Sequence, residues 1–223
     1  MNLLAIETAT TACAIGVRAG DLEREVVLDE HRRHTEVLAA GIAAALGERG
    51  LAPRDLDRVI VDRGPGLYTG LRVGLATADA LARATGCDLV EVTSLEVLAH
   101  GAWARGVRGR LVTLVDARRG EVFSQTFDLG AGVSARPDLA VGRPDALAAR
   151  LALEEGLTLT GDGAARYADL FAALPGATLD GARVPPPAAA LALGATRDPV
   201  AAVTALYLRD PDAVANFVTR DGP

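Results

Sequence analysis

Short apolar runs separated by polar turns dominate the first 92 residues and predict a mixed α/β lobe. Runs of about four apolar residues are typical of buried strands, and longer stretches with a helical period predict helices. Strands are predicted at residues 3–6, 14–17, 25–28, 58–61 and 88–92, and helices at about 35–47 and 71–85. Short links make the first three strands an antiparallel meander. The resulting order, β-β-β-α-β-α-β, is not the regular alternation of a doubly wound sheet.

The pattern then starts again near residue 111, with another strand that ends in an acid. Residues 111–116 run into a turn and a returning strand at 121–127, as residues 3–6 run into Glu7 and a hairpin. We interpret this as an internal duplication. The predicted lobes are 1–106 and a smaller, eroded lobe at 107–223. The second lobe repeats the strand–glycine–helix pattern at about residues 157–174, and it ends in a short helix at about 188–196 and a loose tail.

A glycine-rich segment lies between the strand at 58–61 and the following helix. It reads Arg63-Gly-Pro-Gly-Leu-Tyr-Thr-Gly-Leu-Arg-Val-Gly74 and nearly matches a dinucleotide fingerprint. The meander before it argues against that interpretation, because the fingerprint belongs to the first turn of a βαβ unit. Pro65 also lacks an N–H for a phosphate. Two interpretations stay open: a loop at a subunit or ligand interface, or a tight structural turn formed by Gly64, Pro65, Gly66 and Gly70.

Both predicted helices of the first lobe are apolar on two sides, although a surface helix has one charged face. One side is expected on the sheet and the other on a partner, unless the second lobe or a loop covers it. The predicted partner-binding residues combine the helix starts with the apolar stripes. They are His34, Thr35, Leu38, Ile42, Thr69, Leu71, Arg72, Gly74, Leu75 and Ala78.

Two acidic turns raise the possibility of a kinase-type cleft. Glu7, Thr8 and Thr10 at the first turn offer a carboxylate and hydroxyls for phosphate and Mg²⁺. The second turn, after Asp116, carries two arginines instead of hydroxyls. We therefore predict a degenerate nucleotide cleft. A small ATPase or phosphotransferase is the alternative function.

Composition narrows the choice of function. The net charge of −6 and the pI near 5.1 argue against a protein that wraps nucleic acid by itself. The chain has no lysine, which excludes Schiff-base and Walker-type chemistry. Cys13 and Cys87 are expected to be reduced, buried thiols. Glu7 comes too early for a signal peptide, and no apolar run is long enough for a membrane span. We therefore expect a cytoplasmic location.

Six motifs together resemble the TsaB (YeaZ) family, which is a paralogue of TsaD/Kae1. The most specific is the glycine segment. The others are Leu4-Ala-Ile-Glu-Thr-Ala-Thr10, Arg33-His-Thr-Glu36, Val115-Asp-Ala-Arg-Arg-Gly-Glu-Val122, Gly161-Asp-Gly-Ala164 and Tyr207-Leu-Arg209. The resemblance implies an actin/hexokinase/Hsp70-like (ASKHA, ribonuclease-H-like) fold with two related lobes.

The resemblance also implies a role as a non-catalytic scaffold or activator. The family takes part in forming N6-threonylcarbamoyladenosine next to the anticodon of tRNAs that read A-starting codons. It implies a heterodimer with TsaD, a further partner in the ATPase TsaE, a homodimer when alone, and at most minor tRNA contact. ATP and metal are expected on the partners and no cofactor in the isolated subunit. TsaD carries H-x-x-x-H, whereas this chain has the shorter His31-Arg-Arg-His34, which fits a lost metal site.

Overall fold

A computed structural model describes residues 1–28 and 34–209 and contains two mixed β-sheets. The first sheet has the strand order β3-β2-β1-β4-β5. Its first three strands are an antiparallel meander, and β4 and β5 continue from β1 in parallel. The strands are β1 (Asn2–Glu7), β2 (Cys13–Ala19), β3 (Leu22–Leu28), β4 (Arg58–Asp62) and β5 (Asp88–Val92).

Helices cover both faces of the first sheet. Helices α1 (His34–Gly47) and α2 (Tyr68–Thr85) pack on one face, where Leu4 and Ile6 of β1 point. A late helix, α7 (Pro187–Thr196), packs on the opposite face. A strand buried on both faces needs a continuous apolar run rather than alternation, which explains the sequence of β1.

The second sheet repeats the topology of the first. Its order is β11-β10-β6-β7-β8, with β9 also paired to β7. The β6–β7 pair is antiparallel, and β10 and β11 continue from β6 in parallel. The strands are β6 (Gly109–Arg118), β7 (Glu121–Leu129), β8 (Val133–Ala135), β9 (Ala140–Gly142), β10 (Thr158–Thr160) and β11 (Thr178–Leu179). The two sheets share one topology, as the predicted duplication requires, and the architecture is the expected ASKHA fold.

Short helices cover the outer face of the second sheet. They are α4 (Pro144–Leu151), α5 (Asp162–Arg166) and α6 (Ala168–Ala172). Leu147, Leu151 and Phe171 from this layer pack against strands β6 and β10. A single 3₁₀ turn at Pro53–Asp55 precedes β4.

One helix between the two sheets was not predicted. Helix α3 (Ser94–Ala104) packs against α7 on one side and β6 on the other. It lacks a single apolar stripe because both sides are buried, so periodicity did not reveal it. The available signal was its capping box: Thr93 Oγ1 accepts from the Glu96 N–H at 3.3 Å, and the Glu96 carboxylate accepts from the Thr93 N–H at 3.4 Å.

The chain returns to the first lobe at its C-terminal end. Helix α7 lies on the first sheet, and the Val200 N–H donates to the Leu89 carbonyl on strand β5 at 2.8 Å. Part of the segment assigned to the second lobe therefore packs on the first, and a lobe boundary at residue 106 stays a prediction. Residues 210–223 of the predicted loose tail lie outside the described residues. None of the helices among residues 1–28 and 34–209 is long and apolar enough to cross a membrane.

Candidate functional site: the α1–α2 face and the two acidic turns

The glycine segment forms the link from β4 to α2 and is pinned to the first sheet. Gly64 has φ 103°, a conformation that favours glycine, and the Gly64–Pro65 peptide is cis. The Gly64 N–H donates to Asp62 Oδ1 at 2.7 Å, and the Leu67 N–H donates to the Ala9 carbonyl at 2.7 Å. The segment therefore fixes where α2 begins relative to the β1–β2 turn.

Three glycines of this segment and of α2 face the β1–β2 turn. A Cβ atom at Gly66 would lie 2.2 Å from the Ala9 carbonyl oxygen, and one at Gly70 2.1 Å from the Thr8 carbonyl oxygen. A Cβ at Gly74 would lie 2.2 Å from Thr8 Oγ1. We call Gly66, Gly70 and Gly74 the glycine edge. It lets α2 approach its own chain closely, so the glycine spacing does not serve a partner helix.

A buried carboxyl pair lies beneath the β1–β2 turn. Glu7 ends β1 and is 2% exposed, and Asp62 ends the neighbouring strand β4 and is 1% exposed. Burial, followed by the charge of Asp62 and a hydrogen bond with it, raises the pKa of Glu7 well above its usual value. Asp62 accepts from the Gly64 N–H and lies 2.9 Å from the Ser94 hydroxyl. Burial raises the pKa of Asp62 as well, and a proton shared between the two carboxyls would supply a partner for Asp62 Oδ2, which has none in the described part of the chain.

The predicted phosphate-binding groups of the first turn point inward. The Ala9 N–H donates to Glu7 Oε1 at 2.8 Å, and the Thr10 N–H also serves the Glu7 carboxyl. The hydroxyls of Thr8 and Thr10 are buried and have no hydrogen-bond partner in the described part of the chain. The N–H groups of Ala9 and Thr10 are thus used inside the lobe, although Thr10 also lines a cleft that faces the second turn.

The second acidic turn differs from the first. Asp116 Oδ2 lies 3.2 Å from Arg118 and 3.5 Å from Arg166, and the Asp116 N–H donates to Asp162 Oδ1 at 2.9 Å. Arg118 and Arg119 both have positive φ, 63° and 55°. A cleft of about 420 Å³ lies between the two turns. Its acids already have partners, and the burial of Asp162 raises the pKa of that carboxyl.

Half of the predicted partner-binding residues are buried within the chain, which corrects that prediction. Leu38, Ile42, Leu71, Gly74 and Ala78 are covered by the first sheet and its neighbours and cannot reach another protein. The prediction chose the apolar stripes of α1 and α2, and those stripes build the core.

Two further residues of that set are half-buried, and the rest are exposed. Leu75 packs against the core, and His34 Nε2 lies 3.2 Å from the Thr11 carbonyl. Thr35, Thr69 and Arg72 are exposed. His31, the other histidine of the shortened motif, lies outside the described residues.

The exposed stripe of the two helices consists mainly of small side chains. We call this surface the α1–α2 face. It comprises Thr35, Ala39, Ala40, Ala43 and Ala44 of α1 and Tyr68, Thr69, Arg72, Ala76 and Ala80 of α2. A shallow cavity of about 490 Å³ runs between the helices, and Thr35, Tyr68, Arg72 and Ala76 are among its lining residues.

Comparison with known proteins shows the family to which the chain belongs. Residues 27–156 match the family model described as TsaD, tRNA N6-adenosine threonylcarbamoyltransferase. An uncharacterized protein of Mycobacterium tuberculosis is 36% identical over 95% of this chain and 93% of its own length. The tRNA threonylcarbamoyladenosine biosynthesis protein TsaB of Escherichia coli is 33% identical over 55% of this chain and 53% of its own length. The chain belongs to the TsaB (YeaZ) family.

Solved structures of the TsaB family agree with this assignment. YeaZ from Pseudomonas aeruginosa superposes with a TM-score of 0.74 at 26% identity, covering 87% of this chain and 90% of that one. A second Pseudomonas aeruginosa structure, a protein with similarity to peptidase YeaZ, has a TM-score of 0.80 at 26% identity over 93% of this chain and 99% of that one. The predicted family is confirmed.

Sequence reasoning missed two features of this TsaB-family site. Asp62, one of the two buried carboxyls, and Ser94, whose hydroxyl donates to Asp62, were not singled out. The signal was present for Asp62, since it ends β4 as Glu7 ends the adjacent strand β1. Tyr207, whose ring lies 5.2 Å from that of Tyr68, was assigned to a loose tail. That contact joins residues far apart in sequence and has no local signal.

Proposed function

We propose that this chain is a non-catalytic partner subunit in the formation of N6-threonylcarbamoyladenosine next to the anticodon of tRNAs that read A-starting codons. In this proposal it pairs with the catalytic subunit TsaD through the α1–α2 face. The observation that carries the proposal is an exposed face on two packed helices in which alanine predominates, with the charged side chains Glu36, Arg72 and Arg83 beside the alanines. The names of the TsaB relatives supply the process.

The physical character of the face supports docking of another helical surface. Alanine side chains lose no rotamer freedom on burial and allow helix axes to approach closely. The glycine edge packs α2 directly on the β1–β2 turn, so the face needs little ordering before it binds. Tyr68 and Arg72 stand at its end, and both residue types are enriched among interface residues that dominate affinity.

The two acidic turns support the non-catalytic part of the proposal. Binding a nucleotide phosphate needs free N–H groups and a free acid for Mg²⁺. Here the amides of the first turn serve Glu7, and Asp116 is neutralised by Arg118 and Arg166. We therefore do not favour a small ATPase or phosphotransferase. ATP and metal belong to TsaD and TsaE in this proposal, and the chain pairs with itself when TsaD is absent.

Titration calorimetry of the purified chain with its cognate TsaD tests the pairing. We expect one-to-one binding with a Kd of about 1 μM or tighter, which corresponds to roughly −8 kcal/mol. Size-exclusion chromatography should show a new, larger species that also incorporates TsaE when ATP is present. The absence of any complex at tens of micromolar (about fifty times the expected Kd) would overturn the proposal.

Calorimetry with Mg-ATP and the chain alone separates the two functions. We expect no saturable heat, because the Ala9 and Thr10 amides of the first turn already serve the Glu7 carboxyl. Saturable ATP binding by the lone chain, lost on changing Asp116→Asn, would favour the phosphotransferase function instead.

A further inference from the structure

The segment after α7 is a strap that ties the first lobe to the second. We call residues 197–209 the C-terminal strap. The Arg197 guanidinium is bound by the Glu96 carboxylate at its start. The Leu206 N–H donates to the Arg63 carbonyl at 2.8 Å, beside the glycine segment. Arg209 then pairs with Glu121 at 2.7 Å, across the cleft on the β6–β7 hairpin.

The strap brings a second tyrosine to the end of the α1–α2 face. The rings of Tyr207 and Tyr68 lie 5.2 Å apart and are inclined by 31°. The Arg72 guanidinium lies 5.2 Å from the Tyr68 ring centre, and Arg72 Nη1 donates to the Tyr68 hydroxyl at 3.2 Å. Tyr68 is 45% exposed and Tyr207 43% exposed, so both rings are available to another protein.

We propose that Tyr207, Tyr68 and Arg72 form the anchor of the partner interface, and that TsaD contacts the C-terminal strap as well as the helices. This inference rests on the proposed function. It goes beyond that function because it adds to the interface a segment more than 100 residues away in sequence, and because it states the chemistry of the facing surface.

The positive charge of Arg72 indicates which chemical groups the facing surface of TsaD should carry. In the described part of the chain Arg72 has a hydroxyl and a ring as partners and no carboxylate. A guanidinium over a ring, with one N–H bonded to a hydroxyl, keeps its other N–H donors for a carboxylate in a bidentate pair. We therefore expect TsaD to place an acidic side chain on Arg72 and apolar groups on the two rings.

The second lobe helps to hold the anchor in place. Arg209 lies two residues after Tyr207, and its guanidinium also donates to the Ala117 carbonyl at 3.3 Å. Leu208 packs against the core between α3 and the second sheet. Arg209 is therefore a positioning residue: it does not lie on the face, but it limits where the Tyr207 ring can sit.

Titration of TsaD with variants of Tyr207 tests the inference. We expect Tyr207→Ala to raise the Kd at least tenfold, since an anchoring aromatic group is lost. Tyr207→Phe keeps the ring and should stay within about threefold of the wild type. Thermal unfolding of each free variant shows whether the strap variant is folded. If Tyr207→Ala does not fold, Arg72→Gln, an exposed helix change, carries the test.

Salt dependence tests the carboxylate. Raising the salt from about 0.05 M to 0.5 M should weaken wild-type binding severalfold and should weaken Arg72→Gln binding much less. An equal salt response in both proteins would overturn the inference that TsaD places a carboxylate on Arg72.

Three outcomes separate this inference from the proposed function. Unchanged affinity of Tyr207→Ala, with a normal wild-type complex, overturns the anchor alone. No wild-type complex overturns the proposed function. Weakened self-association of Tyr207→Ala with unchanged TsaD binding assigns the anchor to a second copy of this chain and overturns TsaD as its occupant.

Discussion

The turn between β1 and β2 and the turn between β6 and β7 occupy equivalent places in the two lobes but have opposite surroundings. At the first, Glu7 is buried beside Asp62, and the glycine edge of α2 covers the turn. At the second, Asp116 lies beside Arg118 and Arg166, and the turn opens onto the cleft.

This difference indicates how a duplicated fold can change its use. The first turn has become a support on which α2 rests, and α2 carries the α1–α2 face. The second turn has kept its position at the cleft, but arginines neutralise its acid. Two amides of the first turn and the acid of the second already have partners inside the chain, although the strands of both turns keep the ASKHA arrangement.

The largest contrast should appear when a methyl group is added at each turn. Gly70→Ala places a Cβ 2.1 Å from the Thr8 carbonyl oxygen, so backbone must move and we expect a loss of about 3 kcal/mol. Gly120→Ala meets nothing within 4 Å and has only its φ of 79° to strain, at about 1 kcal/mol. Urea unfolding of both variants measures the difference.

Gly47→Ala is the matched control for these two changes. It ends α1 with open space around its Cβ and should change the free energy of unfolding by less than about 0.5 kcal/mol. Equal losses of unfolding free energy for Gly70→Ala and Gly120→Ala would contradict the close packing of α2 on the first turn.

A smaller effect is expected from the buried acid of the first turn. The raised pKa of Glu7 means that the folded chain holds a proton that the unfolded chain releases near pH 4.5. The contribution of Glu7 to stability is therefore complete below that pH and is lost as the pH rises towards the folded-state pKa. Glu7→Gln does not titrate and can still bond both the Ala9 N–H and Asp62.

Denaturant unfolding at pH 4 and pH 8 measures this effect. Relative to the wild type, Glu7→Gln should gain about 1 kcal/mol or more between these pH values. Glu36→Gln, at an exposed position of α1, shows what the loss of any carboxylate produces. A Glu7→Gln variant that is less stable than the wild type at pH 8 would show that the folded chain requires an ionised Glu7.

The smallest effect is expected at the second turn. Arg166 is about half exposed and shares Asp116 with Arg118, so Arg166→Ala should change the free energy of unfolding very little. High salt should reduce that change further because exposed charges are screened. Unfolding at low and high salt measures this change, and a loss of stability as large as that of Gly70→Ala would mean that the second turn is as tightly packed as the first.

Periodicity predicted most strands and the α1 and α2 helices, because each has a local pattern that burial on a sheet demands. It did not predict α3, whose two buried sides leave no stripe. It selected α1 and α2 for the interface through apolar stripes that the structure buries inside the chain. Leu38 and Leu71 are the most apolar positions, and the sheet of the same chain takes them. Small exposed alanines such as Ala76 carry no hydrophobic signal that marks a partner surface.

The burial of the apolar stripes decides which substitution can test the interface. An arginine at Ile42 would be forced into the core of the first lobe and would unfold it. An arginine at Ala76 projects from the exposed face of α2 and leaves the core intact. Ala149→Arg makes the same change on the exposed side of α4, in the second lobe.

Titration of cognate TsaD with Ala76→Arg and Ala149→Arg therefore tests the central claim most directly. We expect Ala76→Arg to weaken binding about a hundredfold or more, since a buried, unpaired charge opposes close helix packing at an interface. Ala149→Arg should bind like the wild type, and both variants should unfold at the wild-type temperature. Equal affinity of the two variants, both folded, would contradict the assignment of the α1–α2 face as the TsaD-binding surface.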